Sequence, residues 1–308
     1  MRILITGGAG CLGSNLVDHW QPQGHELHIV DNFATGDAGN VPDIAGVTST
    51  EGSVTDAALI DDVFARFAPT HVVHAAAAYK DPDDWIEDTA TNVTGTIVVA
   101  KAAERSGVHR LINFQTALCY GRPTSVPIPI DHPLRPFTSY GISKTAGELY
   151  LLNSGMPVVS LRLANVTGPR LAIGPIPTFY KRLKAGQNCF CSDTTRDFLD
   201  MQDFLSLMDK AMAPDGPTGV FNVSTGEGRT IKDLYDLVAD YLDLPPGDIP
   251  ILPPGDDDVP SVVLDPSATQ AAFNWQAQHD FSATIHRMLK WYDAHGITDV
   301  YSHLKPSH

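Results

Sequence analysis

Short apolar runs and amphipathic stretches alternate through the first half of the chain. Arg2 to Thr6 is an apolar run of strand length, and Leu12 to Trp20 carries its apolar residues at helical spacing. His25 to Asp31 reads as a second strand and Asp56 to Phe67 as a second helix. The alternation continues with a strand at His71 to His74, a helix from about Asp88 to Ser106, a strand at Arg110 to Phe114, a helix from about Thr138 to Leu152 and a strand at Val158 to Leu163. Strands separated by crossover helices predict an α/β fold, a doubly wound parallel sheet with helices on both faces.

After Leu163 the rhythm breaks. Gly168, Pro169, Gly174, Pro175 and Pro177 crowd together, and a second proline-rich stretch runs from Pro245 to Pro260. Helical patterns at Ile231 to Leu242 and Phe281 to His295, with a strand at Thr218 to Val223, predict a smaller mixed α/β domain. The expected division is a dinucleotide-binding Rossmann domain over 1–163, to which 197–223 returns, and a substrate domain built from 164–196 and 224–308.

Composition narrows the classes. The 308 residues are 43% hydrophobic and 19% charged, enough apolar chain for one or two full cores without disulfide staples. A net charge of −15 repels polyanions, so nucleic acid is not an expected partner. The longest apolar runs fall well short of the roughly 18 residues of a membrane span. A strand pattern beginning at Arg2 leaves no room for a secretory leader, and the expectation is a cytoplasmic protein. Cys11, Cys119, Cys189 and Cys191 read as reduced thiols. His71 and His74 lie three apart on a strand and face opposite sides, so no metal site is expected.

Two motifs carry chemistry. Residues Ile3 to Leu16 read ILITGGAGCLGSNL, a strand, a Gly8-x-Gly10-x-x-Gly13 turn and a helix. Glycines let backbone approach a pyrophosphate, and the helix N-terminus supplies unpaired N–H groups and the positive end of its dipole. Asp31 closes the next strand, where a carboxylate accepts ribose hydroxyls and repels a 2′-phosphate, so NAD is favoured over NADP. Further on, Tyr140 and Lys144 stand one helical turn apart and project from one face. An ammonium beside a phenol, together with the positive nicotinamide ring, favours the phenolate, so Tyr140 is expected to act as a base near neutrality.

These segments, with His74-Ala75-Ala76-Ala77, Asn92 before Gly95-Thr96, Thr116 before Tyr120-Gly121, Arg196-Asp197-Phe198-Leu199-Asp200 and Phe221-Asn222-Val223-Ser224-Thr225-Gly226, resemble the extended short-chain dehydrogenase/reductase family nearly end to end. Within it the chain is most similar to NAD-dependent nucleotide-sugar epimerases and dehydratases of bacterial lipopolysaccharide O-antigen clusters. The resemblance implies C4 inversion through a transient 4-keto sugar, with Tyr140 as base, Lys144 on the nicotinamide ribose and Thr116 on the sugar hydroxyl. It implies NAD contacts at Gly7, Gly10, Cys11, Leu12, Gly13, Asp31, Asn32, Ser53, Val54, Ala75, Ala76, Ala77 and Asn92. It also implies a nucleotide-sugar substrate, a UDP-sugar foremost, held by Asn165 and Arg196, and a homodimer formed through the helices near Asp88 and Thr138. Ser53 stands where the family usually has Asp, and Gly255 where UDP-galactose 4-epimerases have Arg. A 4,6-dehydratase would add an Asp-Glu pair after Thr116 and a UDP-glucuronate decarboxylase a Glu; this chain has Ala117 and Leu118. A redox enzyme with net NADH turnover, or a non-catalytic NAD sensor, are the remaining alternatives.

Overall fold

The computed structural model describes residues 1–245 and 248–297. Residues 246–247 of the expected proline-rich stretch, and 298–308 at the end of the expected substrate domain, lie outside the described residues. The chain divides into two compact units. The first comprises Met1–Cys119, Pro136–Arg162 and Leu205–Phe221, and the second Tyr120–Arg135, Leu163–Phe204 and the chain from Asn222 onward.

In the first unit, β1 (Arg2–Thr6), α1 (Cys11–Trp20), β2 (Glu26–Asp31), β3 (Val47–Glu51), α2 (Ala57–Phe67) and β4 (His71–His74) follow in order. Next come α3 (Trp85–Thr89), α4 (Thr96–Arg105), β5 (Arg110–Thr116), α5 (Ser139–Leu152) and β6 (Val158–Leu163). With Gly219–Val223 as the seventh strand, the sheet order is Gly219–Val223, β6, β5, β4, β1, β2, β3. The β1–β2, β2–β3, β1–β4 and β4–β5 ladders all run parallel, with Ile5 opposite Ile29 on one side and Val73 on the other. The expected α/β Rossmann class holds. Parallel strands covered on both faces must be apolar throughout, and Ile3, Leu4, Ile5, Val72, Val73 and Ile112 are fully buried. One face packs Val63, Phe64, Val99, Ala103 and Leu151 against Leu4, Val30, Val72 and Leu111.

Strand β3 was not legible from apolar patterning: its sequence VTSTE alternates among polar residues, and as the sheet's edge it buries Val47 alone. Residues 205–221 belong to the first unit. The guanidinium of the fully buried Arg110 on β5 holds that segment, donating to the carbonyls of Ala211 (2.5 Å), Gly216 (3.0 Å) and Pro217.

The second unit is built on three helices, Pro175–Lys184, Ile231–Tyr241 and Phe281–His295, whose apolar faces form one core with Phe179, Leu234, Val238, Ile285, Leu289 and Tyr292. Its strands are short: Phe198–Asp200 pairs in parallel with Asn165–Thr167, and Thr195–Arg196 lies between Arg229–Thr230 and Ser261–Val262. The expected return segment 197–223 is thus split, its first strand pairing inside the second unit.

Candidate active site

The glycine turn closes on itself and on the β4 loop. Gly7, in the left-handed region at φ 69°, donates to Val30 O at 2.8 Å, and a Cβ there would fall 2.6 Å from Ala76 N. Gly13 would press its Cβ to 2.4 Å from Gly7 O. Both glycines are therefore demanded by packing. Gly10 is different: it adopts an ordinary extended conformation as N-cap of α1, and a Cβ would meet a single atom, Gly7 O at 3.3 Å. Packing constrains that glycine less than the other two, and a bare Cα there leaves room for a pyrophosphate at the N-terminus of α1. Cys11, Leu12 and Gly13 form the first turn behind it.

Asp31 ends β2 with its carboxylate beneath the turn, Oδ2 accepting from Ala9 N–H and Oδ1 from Phe33 N–H. Asn32 accepts from Ala34 N–H. Gly52 N–H donates to Asp31 O, which brings the Ser53-Val54 segment alongside, and the Ser53 hydroxyl is paired with that of Thr55 at 2.8 Å. Ala75 N–H donates to Thr6 O at the start of the β4 loop. The described residues therefore gather the dinucleotide-type positions of Gly7, Gly10, Asp31, Ser53 and Ala76 around the C-terminal ends of β1, β2 and β4, where ligands of doubly wound sheets sit. These residues fit NAD.

Asn92 lies in a wide helical segment, Ala90–Gly95, between α3 and α4. Its amide clamps the β4 loop, accepting from Ala78 N–H and donating to Ala78 O, both at 2.9 Å, and it donates to Ser143 Oγ at 3.0 Å. Helix α5 approaches this segment closely, since a Cβ at Gly147 would fall 2.4 Å from Asn92 O. π-type widening of this kind recurs at functional sites.

Helix α5 is capped by Thr138 Oγ1 accepting from Gly141 N–H, and it carries Tyr140 and Lys144 inward. The Tyr140 ring meets Tyr79 edge-on at 6.0 Å. Burial pushes the Tyr140 phenol well above its ordinary value, and Tyr79 and Asp88 add to the rise. Burial pushes Lys144 down to about 8, opposed by Glu148. Within the protein's own residues the cost of burying charge therefore keeps the phenol protonated, and the expected phenolate rests on Lys144 together with the positive nicotinamide ring. Thr116 ends β5, with Oγ1 accepting from Leu118 N–H at 3.2 Å.

Beneath this row lies a layer that sequence reasoning missed. The buried Glu148 carboxylate accepts from Ser160 Oγ at 2.6 Å and from Arg162 Nη2 at 2.8 Å, and Asn113 Nδ2 donates to Ser160 Oγ at 3.0 Å. Gln115, also buried, bridges Thr116 N–H and the Lys144 carbonyl. His74 joins Thr6 Oγ1 at 2.8 Å and Thr96 Oγ1 at 2.9 Å. Only a spatial partner reveals such residues, although a buried polar residue at the C-terminal end of an apolar strand is a usable signal.

His74 gives a stability prediction. Burial, with Lys144 adding, pushes it down to about 3 from 6.5, so the native state keeps it neutral while the unfolded chain protonates. That contribution is complete above pH 6.5 and is lost as pH falls toward 3. Between pH 7 and pH 5 it amounts to about 2 kcal/mol. Urea unfolding should show this slope in the wild type and its loss in His74→Gln; an equal slope in both would contradict the assignment.

In the second unit, Asn165 opens its strand with an exposed side chain. Arg196 donates through Nη1 to Thr195 O at 2.8 Å and through Nη2 to Asp258 Oδ1, so its charge is already paired there. All four cysteines are free, and the described residues hold no group of three or more His, Cys, Asp or Glu suited to a metal ion. None of the described helices is long and apolar enough to cross a membrane.

A Rossmann sheet with a glycine cradle, an acidic β2 end and a Tyr-Lys pair one helical turn apart, its lysine buried, defines a dinucleotide-dependent enzyme of the short-chain dehydrogenase/reductase type. The chain belongs to the NAD dependent epimerase/dehydratase family, whose model matches residues 3–224. It is 68% identical to the Bordetella bronchiseptica enzyme WbmG, crystallised with NAD and with NAD and UDP, over 99% of this chain and 98% of that one, at a TM-score of 0.94. To WbmH of the same organism, crystallised with NAD+, identity is 39% over 96% and 99% of the two chains, at a TM-score of 0.91. A UDP-glucose 4-epimerase of Mycolicibacterium smegmatis is 30% identical over 95% of this chain and 98% of its own length.

Proposed function

We propose that this chain is a cytoplasmic, NAD-dependent UDP-sugar 4-epimerase that works as a homodimer. The observation that carries the chemistry is the set of Thr116, Tyr140 and Lys144 in one unit with the glycine cradle, while Ala117 and Leu118 follow Thr116 without an acid. WbmG's complex with UDP and the 4-epimerase relatives support the choice of substrate class. Four free cysteines agree with a reducing compartment.

Gly7, Gly10, Cys11, Leu12 and Gly13 would hold the pyrophosphate, Asp31 and Asn32 the adenosine ribose, and Ser53 and Val54 the adenine. Ala75, Ala76, Ala77 and Asn92 would line the dinucleotide, and Lys144 would hold the nicotinamide ribose. Bound NAD supplies a hydride acceptor and donor and a positive nicotinamide ring. Tyr140 Oη takes the proton of the sugar's C4 hydroxyl and later gives it back. Thr116 Oγ1, with one lone pair taken by Leu118 N–H, keeps its own proton to donate to that hydroxyl oxygen. Lys144 keeps positive charge beneath the phenolate as it forms. In the second unit, Asn165 and Arg196 would contact a diphosphate, Arg196 using N–H groups beyond those given to Thr195 and Asp258.

The fate of hydrogen tests the reaction. With UDP-glucose or UDP-arabinose in D₂O, inversion should give product free of carbon-bound deuterium, because the hydrogen leaving C4 returns to C4. Deuterium at C5 or C6, or a 4-keto-6-deoxy product, would make the enzyme a dehydratase.

Dimerisation is supported by an apolar surface on α3 and α5. Trp85 is 67% exposed, Ile86 82% and Tyr150 56%, with Ile142 and Leu149 also open, apolar side chains that a partner copy would cover. Light scattering should give twice the 33.2 kDa chain mass, and an Ile86→Asp, Tyr150→Asp variant should fall to the single chain. A monomeric wild type would exclude the dimer.

A further inference from the structure

Gln115 is the last inward residue of β5, directly before Thr116. The residue is 2% exposed, and each end of its carboxamide meets a backbone group of the opposite kind. Oε1 accepts from Thr116 N–H at 2.7 Å, and Nε2 donates to Lys144 O at 2.9 Å. Turning the amide over would set N–H against N–H and oxygen against oxygen, so the orientation is dictated by its partners. Buried hydrogen bonds of this type are costly to leave unmade.

The bridge joins the two elements that must be in register for the proposed reaction. On one side is the backbone of Thr116, whose hydroxyl is turned by Leu118 N–H. On the other is the carbonyl of Lys144, in the middle of α5 and one turn after Tyr140. Strand and helix are packed together, yet packing of apolar side chains tolerates small sliding, whereas two short directional bonds do not. A hydroxyl and a phenol converging on one substrate oxygen lose rate steeply with displacements near 1 Å.

We propose that Gln115 is a positioning residue that locks Thr116 in register with the Tyr140–Lys144 turn of α5. This rests on the reading of Thr116 and Tyr140 as the groups that meet the sugar hydroxyl. Asn is too short to span both groups, and a hydrocarbon of equal length satisfies neither. Glu satisfies both only as the neutral acid, which can donate to the Lys144 carbonyl; as carboxylate it turns a second acceptor toward that oxygen.

The experiment uses NAD-loaded wild type, Gln115→Met and Gln115→Glu with UDP-glucose and UDP-arabinose, from about pH 6 to about pH 9. Gln115→Met should lose about 10²-fold in kcat with KM changed less than about twofold, at every pH. Gln115→Glu should recover toward wild type as pH falls, so that its kcat ratio to wild type rises while that of Gln115→Met stays flat. Amide hydrogen exchange at Thr116 should be slow in the wild type and fast in Gln115→Met. A flat ratio for Gln115→Glu, equal losses in kcat and KM, or unchanged protection of the Thr116 amide would overturn the role. Should Gln115→Met not fold, the pH ratio of Gln115→Glu decides. A wild type that inverts neither sugar nucleotide defeats the functional reading alone, and the exchange measurement still decides for or against Gln115.

Discussion

Tyr140→Phe should lower turnover by about 10⁴-fold while leaving the folded protein and its NAD content intact, the upper range for removal of a positioned acid/base group. The phenol oxygen is the only atom removed. The ring remains, so its edge-on contact with Tyr79 and the Thr138 cap of α5 are preserved. Because the effect falls on a proton transfer, kcat should fall and KM for the nucleotide sugar should change little. The pH profile sharpens the test. Burial raises Tyr140 and lowers Lys144 to about 8, so near neutrality the protein's own residues hold the pair as neutral phenol and ammonium. Activity should therefore depend on loaded cofactor and fall as pH rises past about 8, where Lys144 loses its charge. Turnover of Tyr140→Phe within about tenfold of wild type would show that another group takes the proton.

Arg162→Met should destabilise the protein by about 3–5 kcal/mol, the cost of removing one partner from a buried ion pair. Glu148 is fully buried and the Arg162 side chain is 7% exposed, so water cannot compensate the carboxylate once the guanidinium is gone. Ser160 Oγ would remain its donor, which is far from enough for a full charge. Adding Glu148→Gln to Arg162→Met should restore much of the loss, because no charge is then left unpaired. Denaturant unfolding at neutral pH reads both. A single variant within about 1 kcal/mol of wild type would mean that solvent reaches Glu148. The same layer touches function, since Glu148 opposes the fall of Lys144.

Legibility in the chain followed the range of the interactions. Helix α5 was expected from about Thr138 to Leu152 and runs Ser139–Leu152, because a Thr cap and apolar spacing are local signals. Strands β4 and β6 coincide with their apolar runs for the same reason. Strand β3 escaped because an edge strand needs only one buried side chain, and VTSTE supplies one. The expected helix from about Asp88 begins at Trp85 and widens at Ala90–Gly95. That widening answers to Asn92 clamping the β4 loop and to the close approach of Gly147, neither of which a periodic pattern contains.

By itself, the sequence determined the α/β class, the glycine cradle with its acidic β2 end, and the Tyr140–Lys144 spacing on one helical face. Each of these depends on residues within a few turns of one another, or on a periodicity that survives in one dimension. Tertiary structure alone decided which charges are buried and what they meet. It placed Arg196 against Asp258, 62 residues away, a partner that the segment around Arg196 does not reveal. It raised Tyr140 through burial first, with Tyr79 and Asp88 adding to the rise, an environment that the Tyr140–Lys144 spacing does not display. It also set Gln115 between Thr116 and Lys144 and Glu148 against Arg162. Burial and hydrogen-bond partnership arise only when distant segments meet, and so the chain specifies them without displaying them.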